Sequence, residues 1–143
     1  MRQENTVRIL IADDFAEWRA RVRSFLRAHP NWQVISEACD GVEAVEKAAE
    51  LLPDIVILDI GMPRMNGIEA AKIIRRRSPG SKIMFLTGIG DADFGNATLS
   101  ATGAVGYVLK TKATSELQRA VEAALQVVIL PSPFPTETEN LPS

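Results

Sequence analysis

Three short apolar runs, at residues 7–12, 55–58 and 83–86, are almost free of polar interruption, and this restricts the fold more than any other feature. A strand with one wet face alternates apolar and polar side chains. A nearly continuous run suits a strand of a parallel sheet, buried under helices on both faces. Weaker runs at 33–36 and 107–109 complete a set of five. The segments between them carry helical spacing. Trp18, Val22, Phe25 and Leu26 share one face, as do Val42, Val45, Ala49 and Leu52, while Leu117, Ala120, Val121, Ala124, Leu125 and Val128 form the cleanest stripe. Asp40 with Glu43 and Ser115 with Gln118 have the spacing of capping boxes. The order reads β-α five times, which predicts an α/β fold: a doubly wound, five-stranded parallel sheet joined by right-handed crossovers. Residues 91–102 make the poorest helix, because Gly95, Asn96 and two threonines lower its propensity.

A chain of 143 residues with 46% hydrophobic and 24% charged residues has the size and balance of one compact domain. We place that domain at residues 7–128, after an N-terminal extension at 1–6. Pro131, Pro133, Pro135 and Pro142 cannot continue a helix, so 129–143 reads as an extended tail or a truncated linker. The net charge of −2 predicts no direct nucleic-acid binding and no attraction to anionic membrane. No apolar run reaches the roughly 20 residues of a membrane span. A single cysteine, Cys39, excludes an internal disulfide and suits a reducing, cytoplasmic setting.

In open parallel sheets, ligands bind beyond the carboxyl ends of the strands, where the strand order reverses. The first polar residues after the apolar runs are Asp13 and Asp14, Asp59, Thr87 and Lys110. Five residues scattered through the sequence therefore converge on one edge. Three carboxylates raise each other's pKa and call for a compensating cation. Oxygen-only ligands select a hard ion such as Mg²⁺, and Lys110 adds a mobile ammonium. Metal, ammonium and the Thr87 hydroxyl could each take one oxygen of a phosphoryl group, and a carboxylate such as Asp59 can be its nucleophilic acceptor. Singly, each residue has a blander reading. Asp14 with Glu17 could cap a helix, and Thr87 and Lys110 could be surface residues.

The segments 9–14, 54–67 and 103–110, including Asp13-Asp14, Asp59-Ile60-Gly61-Met62-Pro63 and Gly106-Tyr107-Val108-Leu109-Lys110, resemble the receiver domains of two-component response regulators. The resemblance covers roughly residues 7–128. It implies the strand order 2-1-3-4-5 of the flavodoxin-like receiver fold. It further implies Asp59 as phosphoacceptor, and Asp13, Asp14, Asp59 and the backbone carbonyl of Gly61 as the Mg²⁺ site. Lys110 would pair with the phosphoryl group, while Thr87 and Tyr107 would form the switch pair. The implied partners are a sensor histidine kinase or phosphotransfer protein upstream, and a downstream protein or a C-terminal output domain. A homodimer through the fourth helix, fifth strand and fifth helix is also implied. The wording is most similar to the subfamily that carries a C-terminal helix-turn-helix. None follows here, so the reading is a stand-alone receiver or one cut at its linker.

Four positions depart from the common family pattern. Gly61 replaces a larger side chain, which should open the site to water and shorten the phosphoryl lifetime. Gly88 follows Thr87 where alanine is usual, loosening the switch segment. Asn66 stands where aspartate is frequent, read as a turn change. Thr111 replaces a proline that is often cis, so a trans bond is expected.

Elsewhere, Arg75-Arg76-Arg77 reads as a solvated helix end suited to the dipole. The arginines Arg19, Arg21, Arg23 and Arg27 mostly face water, His29 is a surface or capping residue, and Cys39 is partly buried. Trp18 and Trp32 read as core or rim packing. Among rival functions, a haloacid-dehalogenase-like phosphatase needs an acid at the position of Gly61. A flavodoxin-like carrier needs a phosphate cradle where Asp13-Asp14 would repel one. The stronger rival is a degenerate receiver that docks a partner without phosphorylation.

Overall fold

The computed structural model describes residues 6–88 and 92–128, with the backbone alone at 92–96. The elements alternate without exception: β1 (Val7–Ala12), α1 (Ala16–Arg27), β2 (Trp32–Ala38), α2 (Gly41–Leu51), β3 (Ile55–Leu58), α3 (Gly67–Arg77), β4 (Lys82–Thr87), α4 (Ala92–Thr102), β5 (Gly106–Leu109) and α5 (Ala113–Gln126). All strand pairings are parallel and the sheet order is β2-β1-β3-β4-β5. The chain order reverses between β1 and β3, which opens a crevice at their carboxyl ends.

The unbroken apolar runs divide residue by residue between two layers. Leu10, Ala12, Val56, Leu58, Ile83 and Phe85 join Ala44, Val45 and Ala48 of α2 and Ala70, Ala71 and Ile74 of α3 in one core. Ile9, Ile11, Ile55, Ile57, Met84, Leu86 and Val108 join Val22 and Leu26 of α1 and Leu117, Val121 and Ala124 of α5 in the other. Both faces of every central strand are thus covered, the condition that made alternation unnecessary in the sequence.

Two helices differ in detail from the expected faces. In α2 the buried residues are Gly41, Ala44, Val45 and Ala48, while Leu52 is 56% exposed. The helix ends as Leu52 enters the left-handed region (φ 49°), which swings its side chain off the expected stripe. In α5 the residues 110–112 already coil as a 3-10 turn, so the helix begins at Ala113. Ser115 then lies inside the first turn and donates to the Lys112 carbonyl at 3.2 Å, so it is not the cap. Val128 lies beyond the helix end and is exposed. The other signal marks a real cap: Asp40 accepts from the Glu43 N–H at 2.8 Å, while the Glu43 carboxylate reaches one residue past the cap and accepts from the Cys39 N–H at 3.3 Å. Cys39 itself is exposed rather than partly buried. Asn66, beyond a turn change, caps α3 by accepting from the Glu69 N–H at 2.9 Å. His29 stacks on Trp32 with ring centroids 4.1 Å apart, far from the acidic edge. Every described peptide bond is trans, including the one before Thr111. The reading of the tail at 129–143 and most of the 1–6 extension lie outside the described residues, as does Asp91 at the head of α4.

Candidate functional site

Each candidate side chain is delivered by the end of a strand. Asp13 and Asp14 follow β1, Asp59 follows β3, Thr87 closes β4, and Lys110 follows β5. The Asp59 N–H donates to the Ala12 carbonyl at 2.9 Å, and the Asp13 N–H to the Ala38 carbonyl at 3.0 Å, so the ladder fixes both acids just past its last rung. Carboxylate oxygens of Asp13, Asp14 and Asp59 lie within 4.8 Å of one another. Asp13 and Asp59 are buried, at 3% and 6% exposure. The Lys110 ammonium reaches the same place, 2.8 Å from Asp13 Oδ2 and 3.7 Å from Asp59 Oδ2. Thr87 is buried at the neighbouring strand end.

The alternative role of the acids as helix caps is not realised. The N-cap of α1 is Phe15, without a side-chain hydrogen bond at that end. One oxygen of Asp13 accepts the Phe15 N–H at 2.9 Å, and the other faces Lys110. Asp14 Oδ1 is buried and has no hydrogen-bond partner. An orphaned carboxylate oxygen beside two further carboxylates costs free energy that a hard divalent cation would relieve. The donor set, all oxygen, fits Mg²⁺.

Burial pushes the Asp59 carboxyl above its ordinary range. The neighbouring charge of Asp13 adds to the rise, with Asp14 contributing less, while Lys110 and the Ile60 N–H pull it down. One ammonium thus only partly offsets three acids.

The loop after Asp59 is shaped by close backbone approach. Gly67, the first residue of α3, donates its N–H to the Ile60 carbonyl at 2.8 Å, and a Cβ there would lie 2.0 Å from the Asp59 carbonyl oxygen. Gly41, the first residue of α2, abuts the Met65 carbonyl equally closely. Only residues without a side chain let the two helix starts seat against the loop after Asp59. Gly61 contrasts with both: it is exposed, with open space where its side chain would be. Tyr107 is partly buried on β5, beside Phe85 of β4 and against the α2–α3 core. Gly88 is exposed and equally open at its Cβ position.

All five residues inferred from the sequence meet at this edge, and three others were not foreseen. Arg19 donates to the Asp13 carbonyl at 2.6 Å and to Glu37 on β2 at 2.9 Å, tying the first acid to the outer strand. Phe15 is 60% exposed at the rim. Its ring centroid lies 5.9 Å from the Lys110 ammonium, and that of Trp18 lies 5.0 Å away. The α1 sequence announced a buried face but not which of its rings would reach a residue more than ninety positions later.

Comparison with known proteins agrees with this architecture. A family model for the response regulator receiver domain matches residues 9–122. The transcriptional regulatory protein LiaR of Bacillus subtilis (strain 168) is 42% identical over 118 residues, covering 82% of this chain and 56% of LiaR. A protein-glutamate methylesterase/protein-glutamine glutaminase of Methanosarcina acetivorans is 38% identical over 114 residues, covering 80% of this chain and 33% of that enzyme. Among solved structures, the response regulator domain of Thermotoga maritima CheB superposes with a TM-score of 0.78 at 31% identity, over 86% of this chain and 98% of that one. The chain spans about half or less of the length of these two curated relatives.

Proposed function

Because the chain belongs to the response regulator receiver family of two-component systems, we propose that Asp59 accepts a phosphoryl group and that the domain acts as a phosphorylation-controlled switch. The observation that carries this reading is the buried group of three carboxylates with one ammonium 2.8 Å from Asp13 and 3.7 Å from Asp59. An oxygen of Asp59 attacks the phosphorus of a phosphohistidine, or of a small acyl phosphate. The bond from phosphorus to the donor breaks, the donor keeps the electron pair, and a mixed anhydride forms on Asp59. Attack by water on that phosphorus later returns the free carboxylate.

Asp13 and Asp14, with Asp59 and the Gly61 carbonyl, are the residues that would hold Mg²⁺, which supplies positive charge to the phosphoryl oxygens. Lys110 supplies a second positive charge. Its ammonium is already within about 1 Å of contact with Asp59. Thr87 offers its hydroxyl to a third oxygen, and movement of its side chain leaves room for Tyr107 to turn inward. Phosphorylation then shifts a pre-existing equilibrium at α4, β5 and α5, where a partner or a second copy would dock. The upstream partner is a histidine kinase or phosphotransfer protein. The open space at Gly61 leaves the acyl phosphate accessible to water, which shortens its life.

The test is intact mass after incubation with Mg²⁺ and acetyl phosphate. One added phosphoryl group, absent without Mg²⁺ and absent in Asp59→Asn, supports the reading. No adduct, together with no binding of beryllofluoride, overturns it in favour of a docking module that works without phosphorylation.

A further inference from the structure

Lys110 carries its charge on a flexible four-carbon stem, and something must fix where that charge sits. The Asp13 carboxylate alone would draw the ammonium away from Asp59, to which it is 0.9 Å less close. Two aromatic rings also stand near the ammonium. The Trp18 ring centroid lies 5.0 Å from the Lys110 ammonium, inside the range in which a ring face attracts a cation. Trp18 is a firm platform: it packs against the core made by β1, β3, β4, α1 and α5. Lys110 is only 12% exposed, so little water competes for the ammonium. The same ring also takes the Arg21 guanidinium, 4.6 Å from its centroid, from the next turn of α1. Phe15 stands farther off at 5.9 Å and largely in solvent, which makes its hold on the ammonium weaker.

We propose that Trp18 is a positioning residue for phosphoryl transfer, acting through Lys110: its ring holds the ammonium between Asp13 and Asp59 so that the charge is in place when the phosphoryl group arrives. The inference rests on the reading of Asp59 as acceptor. It assigns a cost to losing the ring, because an ammonium that must be ordered during the reaction contributes less than one ordered beforehand. It also makes the Trp18 indole a spectroscopic reporter of the site, since a cation that moves against the ring changes its emission.

The test is a double-mutant cycle on the full chain, with initial rates of phosphorylation by acetyl phosphate and Mg²⁺ read by intact mass. Trp18→Leu should slow the reaction about fivefold, the scale of one cation–ring contact, and Trp18→Phe should recover most of the loss. In a Lys110→Met background the Trp18→Leu change should have almost no effect. An equal loss in both backgrounds would reduce Trp18 to packing and overturn the proposal, as would no loss in either. Fluorescence provides a second readout. In a Trp32→Phe chain, beryllofluoride with Mg²⁺ should shift Trp18 emission, and Lys110→Met should abolish the shift; an unshifted or Lys110-independent signal overturns the proposal. If the unsubstituted chain takes up no phosphoryl group and no beryllofluoride, the reading of Asp59 falls and the inference falls with it. If it takes them up while the cycle shows no coupling, only the inference falls.

Discussion

Adding one methyl group at Gly67 should damage both the fold and the site. A Cβ there would lie 2.0 Å from the Asp59 carbonyl oxygen, 2.8 Å from the Ile60 Cα and 2.9 Å from the Asp59 carbonyl carbon, all of them backbone atoms. Real Cβ atoms essentially never approach closer than 3.0 Å, so the start of α3 must withdraw by about 1 Å. That displacement stretches the Gly67 N–H bond to the Ile60 carbonyl, now 2.8 Å, beyond hydrogen-bonding range. Leaving the pair unmade costs about 1–3 kcal/mol, and the residual overpacking costs about 1–3 kcal/mol more. The reduced freedom of the unfolded chain returns up to about 1 kcal/mol. Gly67→Ala should therefore lose about 1–5 kcal/mol, with about 3 kcal/mol at the centre, lowering Tm by roughly 10 °C in a domain of this size. Because the clash pushes on the backbone of Asp59, the proposed acceptor, phosphorylation by acetyl phosphate should slow at least about tenfold. Gly61→Ala is the control: nothing lies within 4 Å of that Cβ, so its Tm should hold. Thermal denaturation of the two variants decides the matter. A Gly67→Ala protein as stable as the Gly61→Ala protein would refute the close-approach argument.

Asp59 holds its proton more tightly in the folded chain than in the unfolded one. Its contribution to stability is therefore full below the unfolded pKa and is lost as pH rises through the higher folded value. Asp59→Asn should therefore raise the metal-free Tm at neutral pH. The gain should shrink on acidification, so a gain that grows toward low pH in calorimetry would contradict this. Lys110→Met leaves Asp13 and Asp59 without their ammonium and should cost about 3 kcal/mol in metal-free urea unfolding. Mg²⁺ should restore part of that loss, whereas full stability without Mg²⁺ would show that the ion pair contributes nothing. Gly61→Asn fills open space in the loop after Asp59 and should slow loss of the phosphoryl group several-fold. An unchanged decay of the phosphorylated mass would remove Gly61 from the account.

What the sequence disclosed depended on local pattern. Five apolar runs gave the strands, and the residues that end them gave the site, because a parallel sheet delivers all its strand termini to one edge. Asp13, Asp14, Asp59, Thr87 and Lys110 were legible for that reason. The start of α5 was not, because the 3-10 turn at 110–112 draws the helix two residues ahead of the Ser115 signal. The α2 face was misjudged because alanines, rather than the larger Val42 and Leu52, let that helix lie close on the sheet. Nothing in the local sequence singles out Gly41 and Gly67, whose need for a missing side chain appears only when another segment's carbonyl is 2.0 Å from the absent Cβ. Arg19 and Trp18 belonged to an amphipathic helix whose contacts are with Asp13, Glu37 and Lys110. Such long-range pairings carry no mark in local sequence.

Trapping the anhydride chemically decides whether Asp59 is the phosphoryl-accepting residue of this edge. After incubation with acetyl phosphate and Mg²⁺, borohydride reduces an acyl phosphate to an alcohol, and peptide mass mapping locates the changed residue. Reduction is expected at Asp59 alone, dependent on Mg²⁺. Reduction at Asp13 or Asp14 with Asp59 unchanged would contradict that assignment.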